Sequence, residues 1–135
     1  MKENIKIAKE LVKVAKQLVI AGNVANKEGI YKYFTGKIDW KGTTGNVSGA
    51  NFELNSKGII WYSGTWYSGT WSNGTWKNGQ WYSGTWKNGI WWGGVWIRGT
   101  WENGTWKSGE WESGLWKNGN WHRGTVNGET TEVHP

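Results

Sequence analysis

The sequence predicts a mainly β protein, built as a β-solenoid that is preceded by one amphipathic α-helix. Two observations support this prediction. Between Trp61 and Thr125, thirteen pentads of the form Trp-x-x-Gly-x follow one another with no insertion or deletion. Upstream of them, residues 2–21 carry apolar side chains at helical spacing. A repeat of fixed length indicates one small backbone unit stacked on its own copies, so the pentad array determines the fold class.

Each pentad must contain its own bend, because a period of five matches neither the 3.6 of a helix nor the 2 of a strand. Glycine marks the bend, so that an extended piece such as Gly64-Thr65-Trp66 is followed by a corner such as Tyr67-Ser68. The last residue of the pentad is β-branched in nine of thirteen cases, which favours a strand. The pattern therefore predicts short strands stacked into parallel sheets along one axis.

The tryptophans are predicted to form the core, because the other pentad positions are mostly Thr, Ser, Asn, Lys and Tyr and offer little apolar surface to bury. The predicted core residues are Trp61, Trp66, Trp71, Trp76, Trp81, Trp86, Trp91, Trp96, Trp101, Trp106, Trp111, Trp116 and Trp121. The glycines are predicted to leave room for neighbouring rings. They are Gly64, Gly69, Gly74, Gly79, Gly84, Gly89, Gly94, Gly99, Gly104, Gly109, Gly114, Gly119 and Gly124.

A second geometry also fits the pentads. Five of them contain Asn-Gly, the preferred sequence of type I′ turns, and such turns would join three-residue antiparallel strands into a meander. All the tryptophans would then lie on one face of a narrow ribbon. A partner sheet would be needed to cover them, so the solenoid is the favoured interpretation.

Residues 45–54 resemble two units of the pentapeptide-repeat family. The second unit, Ala50-Asn51-Phe52-Glu53-Leu54, follows that family's pattern of a small residue, Asn or Asp, a large apolar residue and two variable positions. Gly-Thr-Trp-x-x falls into the same phase. The resemblance implies a right-handed quadrilateral β-helix with about twenty residues per coil. The variable positions, compared at lags of 10, 15 and 20 residues, favour no lag, so the residues themselves leave the number of sides open.

The chain also resembles the Trp- or Phe-x-x-Gly-x tandem arrays of small uncharacterised proteins from tailed phages, which often follow a short Lys-rich helix. This resemblance covers both the array and the N-terminus. It implies a structural protein of a phage particle or a comparable assembly, and it carries no established activity.

Residues 1–22 are predicted to form the amphipathic helix. Lysines occupy one side, and Gly22-Asn23 ends the helix. The apolar face is predicted to cover one end of the solenoid, to bind a protein partner or to self-associate, and a membrane-surface role is the least favoured. This face comprises Ile5, Ala8, Leu11, Val12, Ala15, Leu18 and Val19.

The remaining segments complete the predicted organisation. Residues 23–44 form a connector and an irregular first coil, with a strand or hairpin bounded by Gly36 and Gly42. Residues 45–125 form the solenoid. Residues 126–135 lack tryptophan and are predicted to be a fraying tail or a last half-coil.

The composition contains no recognisable catalytic constellation, so we predict a protein that is not an enzyme and uses no cofactor or metal. Cysteine is absent, and of the two histidines His122 occupies a variable position after Trp121 and His134 is the penultimate residue. The acidic residues of the array, Glu102, Glu110 and Glu112, are interspersed with basic ones. Lysines interrupt any apolar run near the N-terminus, which excludes a secretion signal and a membrane span and predicts synthesis in the cytoplasm.

The net charge of +6 is divided equally between residues 1–22 and residues 61–125. Such a mild bias disfavours nucleic-acid binding, which would require Lys77 and Lys87 to line one groove together with the tyrosines. Exposed aromatic residues give an alternative function, carbohydrate binding, because Trp91 and Trp92 cannot both face inward. The predicted ligand surface comprises Tyr62, Tyr67, Tyr82 and Trp92.

Overall fold

The protein, described by a computed structural model for residues 24–25 and 28–135, is mainly β, and no helix occurs among those residues. The predicted helix, with its apolar face from Ile5 to Val19, lies outside the described residues. The strands are β1 Val24–Ala25, β2 Gly29–Trp40, β3 Thr43–Asn55, β4 Gly58–Trp71, β5 Gly74–Trp76, β6 Gln80–Trp81, β7 Thr85–Trp86, β8 Ile90–Trp91, β9 Val95–Trp96, β10 Thr100–Trp101, β11 Thr105–Trp106, β12 Glu110–Trp111, β13 Leu115–Trp116, β14 Asn120–Trp121, β15 Gly124–Val126 and β16 Glu129–Thr131.

The pentad array forms a parallel β-solenoid, which confirms the β-solenoid part of the predicted fold class. Each pentad tryptophan from Trp61 to Trp106 is the register partner of the tryptophan 15 residues later, as in Trp71 with Trp86 and Trp86 with Trp101. A coil therefore contains three pentads and has three sides. The first face comprises the first part of β4 with β5, β8, β11 and β14; the second comprises the middle of β4 with β6, β9, β12 and β15; the third comprises the end of β4 with β7, β10 and β13.

One expectation drawn from a resemblance is wrong, and the alternative geometry that the pentads left open is ruled out. The four-sided coil of about twenty residues, implied by the pentapeptide-repeat resemblance, is replaced by a three-sided coil, because parallel partners lie 15 residues apart throughout the array. The antiparallel meander is excluded, since every pairing between pentad strands is parallel. Each coil contributes one indole from each of its three faces. These three rings fill the interior, so the coil does not require a fourth face.

Two backbone hydrogen bonds per pentad hold successive coils together. The residue after each tryptophan donates its N–H to the tryptophan carbonyl one coil earlier, as Glu102 does to Trp86 at 2.8 Å. The residue before each tryptophan donates to the pentad glycine one coil earlier, as Thr100 does to Gly84 at 2.9 Å. Because these bonds repeat on every side, the ladder satisfies the backbone of strands that are only two residues long.

An antiparallel sheet precedes the parallel coils, and within it β3 runs against the direction of both β2 and β4. β2, β3 and β4 are antiparallel, and the turns between them are Lys41-Gly42 and Ser56-Lys57. Each strand has register shifts and is long enough to follow all three sides of the first coil. Residues 45–54 therefore do not form two parallel pentapeptide units. The nine-residue interval from Phe52 to Trp61 contains the hairpin, which reverses the chain and places Phe52 opposite Trp61.

The C-terminal segment closes the other end. β15 completes the second face, and β16 turns back to pair with it in the antiparallel direction. The indole Nε1 of Trp121 donates to the carbonyl of Thr131 at 3.1 Å, and the His134 ring stacks on Trp116 at 5.7 Å. The tail thus covers part of the last coil, where Trp116 and Trp121 are only partly buried.

Candidate functional site

The interior of the solenoid consists of three stacks of indole rings. Along each stack, rings one coil apart are nearly parallel, with centroids 4.8–5.0 Å apart and planes 4–8° apart. Between stacks, neighbouring rings meet edge to face at 5.7–6.2 Å. The ten pentad tryptophans from Trp61 to Trp106 are completely buried, whereas Trp92 is exposed and belongs to no stack. Both ring arrangements are favourable for aromatic quadrupoles, so packing of the core and pairing of the strands specify the same register.

The indole N–H groups lie at the corners of the coil. Trp96 donates its Nε1–H to the carbonyl of Ser113 at 3.0 Å, which lies next to Gly114 in the following coil. Nine other buried indoles of the array form no such bond. A buried N–H group without a partner costs desolvation free energy, so the indoles stabilise the fold through apolar burial and ring contacts and not through these groups.

The first-face stack continues into the antiparallel sheet. Phe52 lies parallel to Trp61 at 6.0 Å, and Tyr31 lies parallel to Phe52 at 5.2 Å. Burial raises the pKa of the Tyr31 phenol above its ordinary value, because the phenolate would lose its hydration. This tyrosine is thus part of the core.

The outer surface carries the candidate binding residues, and the three-sided coil separates them. Tyr62 and Trp92 lie on the first face, two coils apart. Tyr67 and Tyr82 lie on the second face in successive coils, and their rings stack at 5.4 Å. The predicted ligand surface of four aromatic residues is therefore divided into a stacked tyrosine pair and a separate first-face column.

Lys77 and Lys87, which a nucleic-acid groove would need side by side, lie on different faces. Lys77 follows Trp76 on the first face, whereas Lys87 follows Trp86 on the third. The tyrosine pair lies on the second face, so the groove that the sequence analysis required is not formed by these residues.

A column of five residues runs along the first face, each directly after a core tryptophan in a successive coil. We call it the first-face column, and its members are Tyr62, Lys77, Trp92, Lys107 and His122. Trp92 is 46% exposed. The Nζ of Lys77, one coil earlier, lies 5.2 Å from its ring centroid, and the Nζ of Lys107, one coil later, lies 5.5 Å from it. Each ammonium thus makes a cation–π contact with Trp92.

The same three-sided coil also separates the charges of the array. Between Ile60 and Arg123, the first face carries lysines and no acidic residue. The three glutamates lie on the other faces: Glu110 and Glu112 on the second, and Glu102 on the third. A net charge that is modest for the whole array is therefore concentrated on one side.

The third face provides a natural comparison. Its column of residues after tryptophan contains Lys87, Glu102 and Lys117 in successive coils, so two lysines again lie two coils apart. Glutamate occupies the position that Trp92 occupies on the first face. The carboxylate lies between these ammonium groups and reduces the local positive potential, whereas an indole leaves the charge of Lys77 and Lys107 unneutralised.

In the part of the chain that the structure describes, the two histidines lie apart from each other. His122 lies in the first-face column, and His134 lies against Trp116. Residues 28–135 contain no group of three His, Asp or Glu side chains placed to hold a metal ion. Within the same residues, no helix has the length and apolar character to cross a membrane.

From the sequence, Lys77 was considered only with Lys87 as part of a nucleic-acid groove, and neither Lys77 nor Lys107 was predicted to belong to the ligand surface. The signal was present, since both stand 15 residues from Trp92, but it is only useful once the coil length is known. No protein-family model, curated protein or solved structure matches this chain.

Proposed function

We propose that the protein is a non-enzymatic structural component of a phage particle or a comparable assembly. In this proposal the solenoid is a rigid rod, and the apolar face of residues 1–22 attaches it to a protein partner or to further copies of the chain. The proposal that the solenoid is a rigid rod rests on the continuity of the three indole stacks through successive coils. A rod whose ring stacking and hydrogen-bond ladder share one register has few ways to bend.

Deletion of residues 1–22 tests the attachment. The shortened protein should lose association with particles, or its oligomeric state in sedimentation, while the thermal transition and tryptophan emission of the rod remain close to those of the full chain. A full-length variant with Leu11→Lys and Leu18→Lys should behave in the same way. A shortened chain that unfolds, or that still associates, would contradict the attachment role.

A second candidate function is the binding of neutral carbohydrate by the second face. The supporting observation is the stacked pair of Tyr67 and Tyr82, both of which are substantially exposed. Aromatic rings of this kind offer apolar faces and a hydroxyl group to a sugar ring. A glycan array should then show binding that is lost in Tyr67→Ala/Tyr82→Ala and retained in Tyr62→Ala. Binding unaffected by the double change would exclude the tyrosine pair.

A further inference from the structure

The first-face column holds two ammonium groups at a fixed separation. Lys77 and Lys107 approach the ring of Trp92 from neighbouring coils on opposite sides, at 5.2 and 5.5 Å from its centroid. Neither lysine forms an ion pair in residues 28–135. The cation–π contacts restrict the two side chains and so reduce the conformational entropy that a ligand would otherwise have to overcome.

The separation of the two charges follows from strand geometry. They lie two coils apart, and neighbouring strands are about 4.8 Å apart, so the column presents positive charges roughly 9.6 Å apart along the axis. Ile90, which is 37% exposed, begins the two-residue strand β8 that directly precedes Trp92, and it adds apolar surface between the two charges. The matching ligand is therefore a linear polyanion with widely spaced charges and an apolar surface between them.

We propose that the first-face column binds an acidic polysaccharide that carries one carboxylate on every second sugar. Lys77 and Lys107 each pair with one carboxylate, while Ile90 and the exposed edge of Trp92 contact the neutral sugar between them. In an extended chain of this type, successive carboxylates are separated by the length of two pyranose rings. That length is close to the spacing of the two lysines.

The covered ring of Trp92 favours a polysaccharide over a single-stranded nucleic acid. Proteins that bind single-stranded nucleic acids stack the bases on the open faces of aromatic side chains. A base could reach the ring of Trp92 only by displacing a lysine. A nucleic acid also carries a phosphate on every nucleotide, which is a denser charge pattern than this column presents. A sugar that contacts the ring edge leaves both ammonium groups in place.

This inference is independent of the attachment role of residues 1–22 and of the tyrosine pair on the second face. Its test is direct binding of a hyaluronan oligosaccharide, which has one carboxylate per disaccharide, to the full chain at low ionic strength. Neutral dextran of equal length and an oligothymidylate serve as comparison ligands. Hyaluronan should bind more tightly than either, and the affinity should fall as salt is added because the contacts are ionic.

Two double variants locate the site. Lys77→Gln/Lys107→Gln should weaken hyaluronan binding by about tenfold or more, since two exposed charge pairs are lost. Lys87→Gln/Lys117→Gln removes the same charge at the same spacing from the third face and should change binding by less than about twofold. Equal losses in the two variants would show that only net charge matters and would overturn the proposal.

Exchange of the central residue tests the column itself. Trp92→Glu gives the first face the Lys-Glu-Lys order of the third and should abolish binding, although the side chain is exposed and the fold should persist in circular dichroism. Glu102→Trp gives the third face the Lys-Trp-Lys order and should add a second binding site. Absence of hyaluronan binding by the unmodified chain, or tighter binding of oligothymidylate through the same lysines, would refute the proposal.

Discussion

The pentad glycine lies where the chain turns from one face to the next and where successive coils approach most closely. The twelve pentad glycines from Gly64 to Gly119 all have φ between +105° and +135°, a region that other residues rarely adopt. A Cβ at Gly84 would also collide with the backbone carbonyl oxygen of Gly69, one coil earlier. The sequence predicts that neighbouring rings need this space, whereas at most of these positions it is backbone that requires it.

Gly84→Ala should therefore lower the free energy of unfolding by about 3 kcal/mol or more, from backbone strain together with a steric clash that neither coil can relieve. Gly93→Ala is the matched control. Its φ is not positive, and an added Cβ would lie 3.6 Å from the nearest atom, the Lys77 carbonyl oxygen. The control should change stability by less than about 0.5 kcal/mol or increase it slightly. Denaturant titration of both variants measures the difference, and similar losses would refute the backbone explanation.

Two tryptophans provide a second comparison at the scale of single residues. Trp86 is completely buried and stacks on Trp71 and Trp101 at 4.9 Å. Trp86→Ala should cost about 3 to 5 kcal/mol, because it leaves a cavity and interrupts a stack. Trp92→Ala removes an equally large side chain from the surface and should cost less than about 1 kcal/mol. Equal costs in chemical denaturation would mean that burial does not distinguish the two positions.

At the scale of elements, the solenoid is closed by segments that differ from the pentads. The antiparallel strands β2 and β3 continue the first-face aromatic stack below Trp61, and the β15–β16 hairpin with the tail lies against the last coil. End coils expose an unpaired ladder edge and one side of each ring, so terminal repeats of a different kind are needed for stability.

Removal of residues 127–135 should destabilise the rod and expose its last rings. The change removes the hydrogen bond from Trp121 to Thr131, the stacking of His134 on Trp116 and the β16 pairing. We expect a loss of about 2 to 3 kcal/mol in unfolding free energy. Iodide should quench more of the tryptophan emission than in the full chain. Unchanged stability and quenching would show that the tail does not act as a cap.

The elements differ in how well the sequence predicts them. The pentad strands and their corners could be predicted because the tryptophan and glycine positions repeat without exception. The direction of β3 could not be predicted. Residues 45–54 have the composition of parallel repeat units, and the Ser56-Lys57 turn lacks the Asn-Gly or Asp-Gly sequence that usually indicates a two-residue hairpin. Only the nine-residue interval between Phe52 and Trp61 signals the change.

For the whole molecule, the number of sides determines which surface residues lie next to one another. Every face carries tryptophan and glycine at the same pentad positions, so these invariant positions contain no information on coil length. The variable residues contain it, since Lys77, Trp92 and Lys107 align only at a period of 15, but one such column among many mixed ones is a weak signal. The same period separates the tyrosine pair from Trp92 and gathers the positive charge on the first face.

The coil length is tested most directly by paired cysteines, because the chain contains no cysteine of its own. Thr85 and Thr100 are register partners on adjacent third-face strands, at a separation that allows a disulfide. Thr85 and Thr105 would be partners in a coil of twenty residues. Under mild oxidation, the Thr85→Cys/Thr100→Cys variant should cross-link rapidly within the monomer, while Thr85→Cys/Thr105→Cys should keep two free thiols. Cross-linking of the second pair and not of the first would contradict the three-sided solenoid.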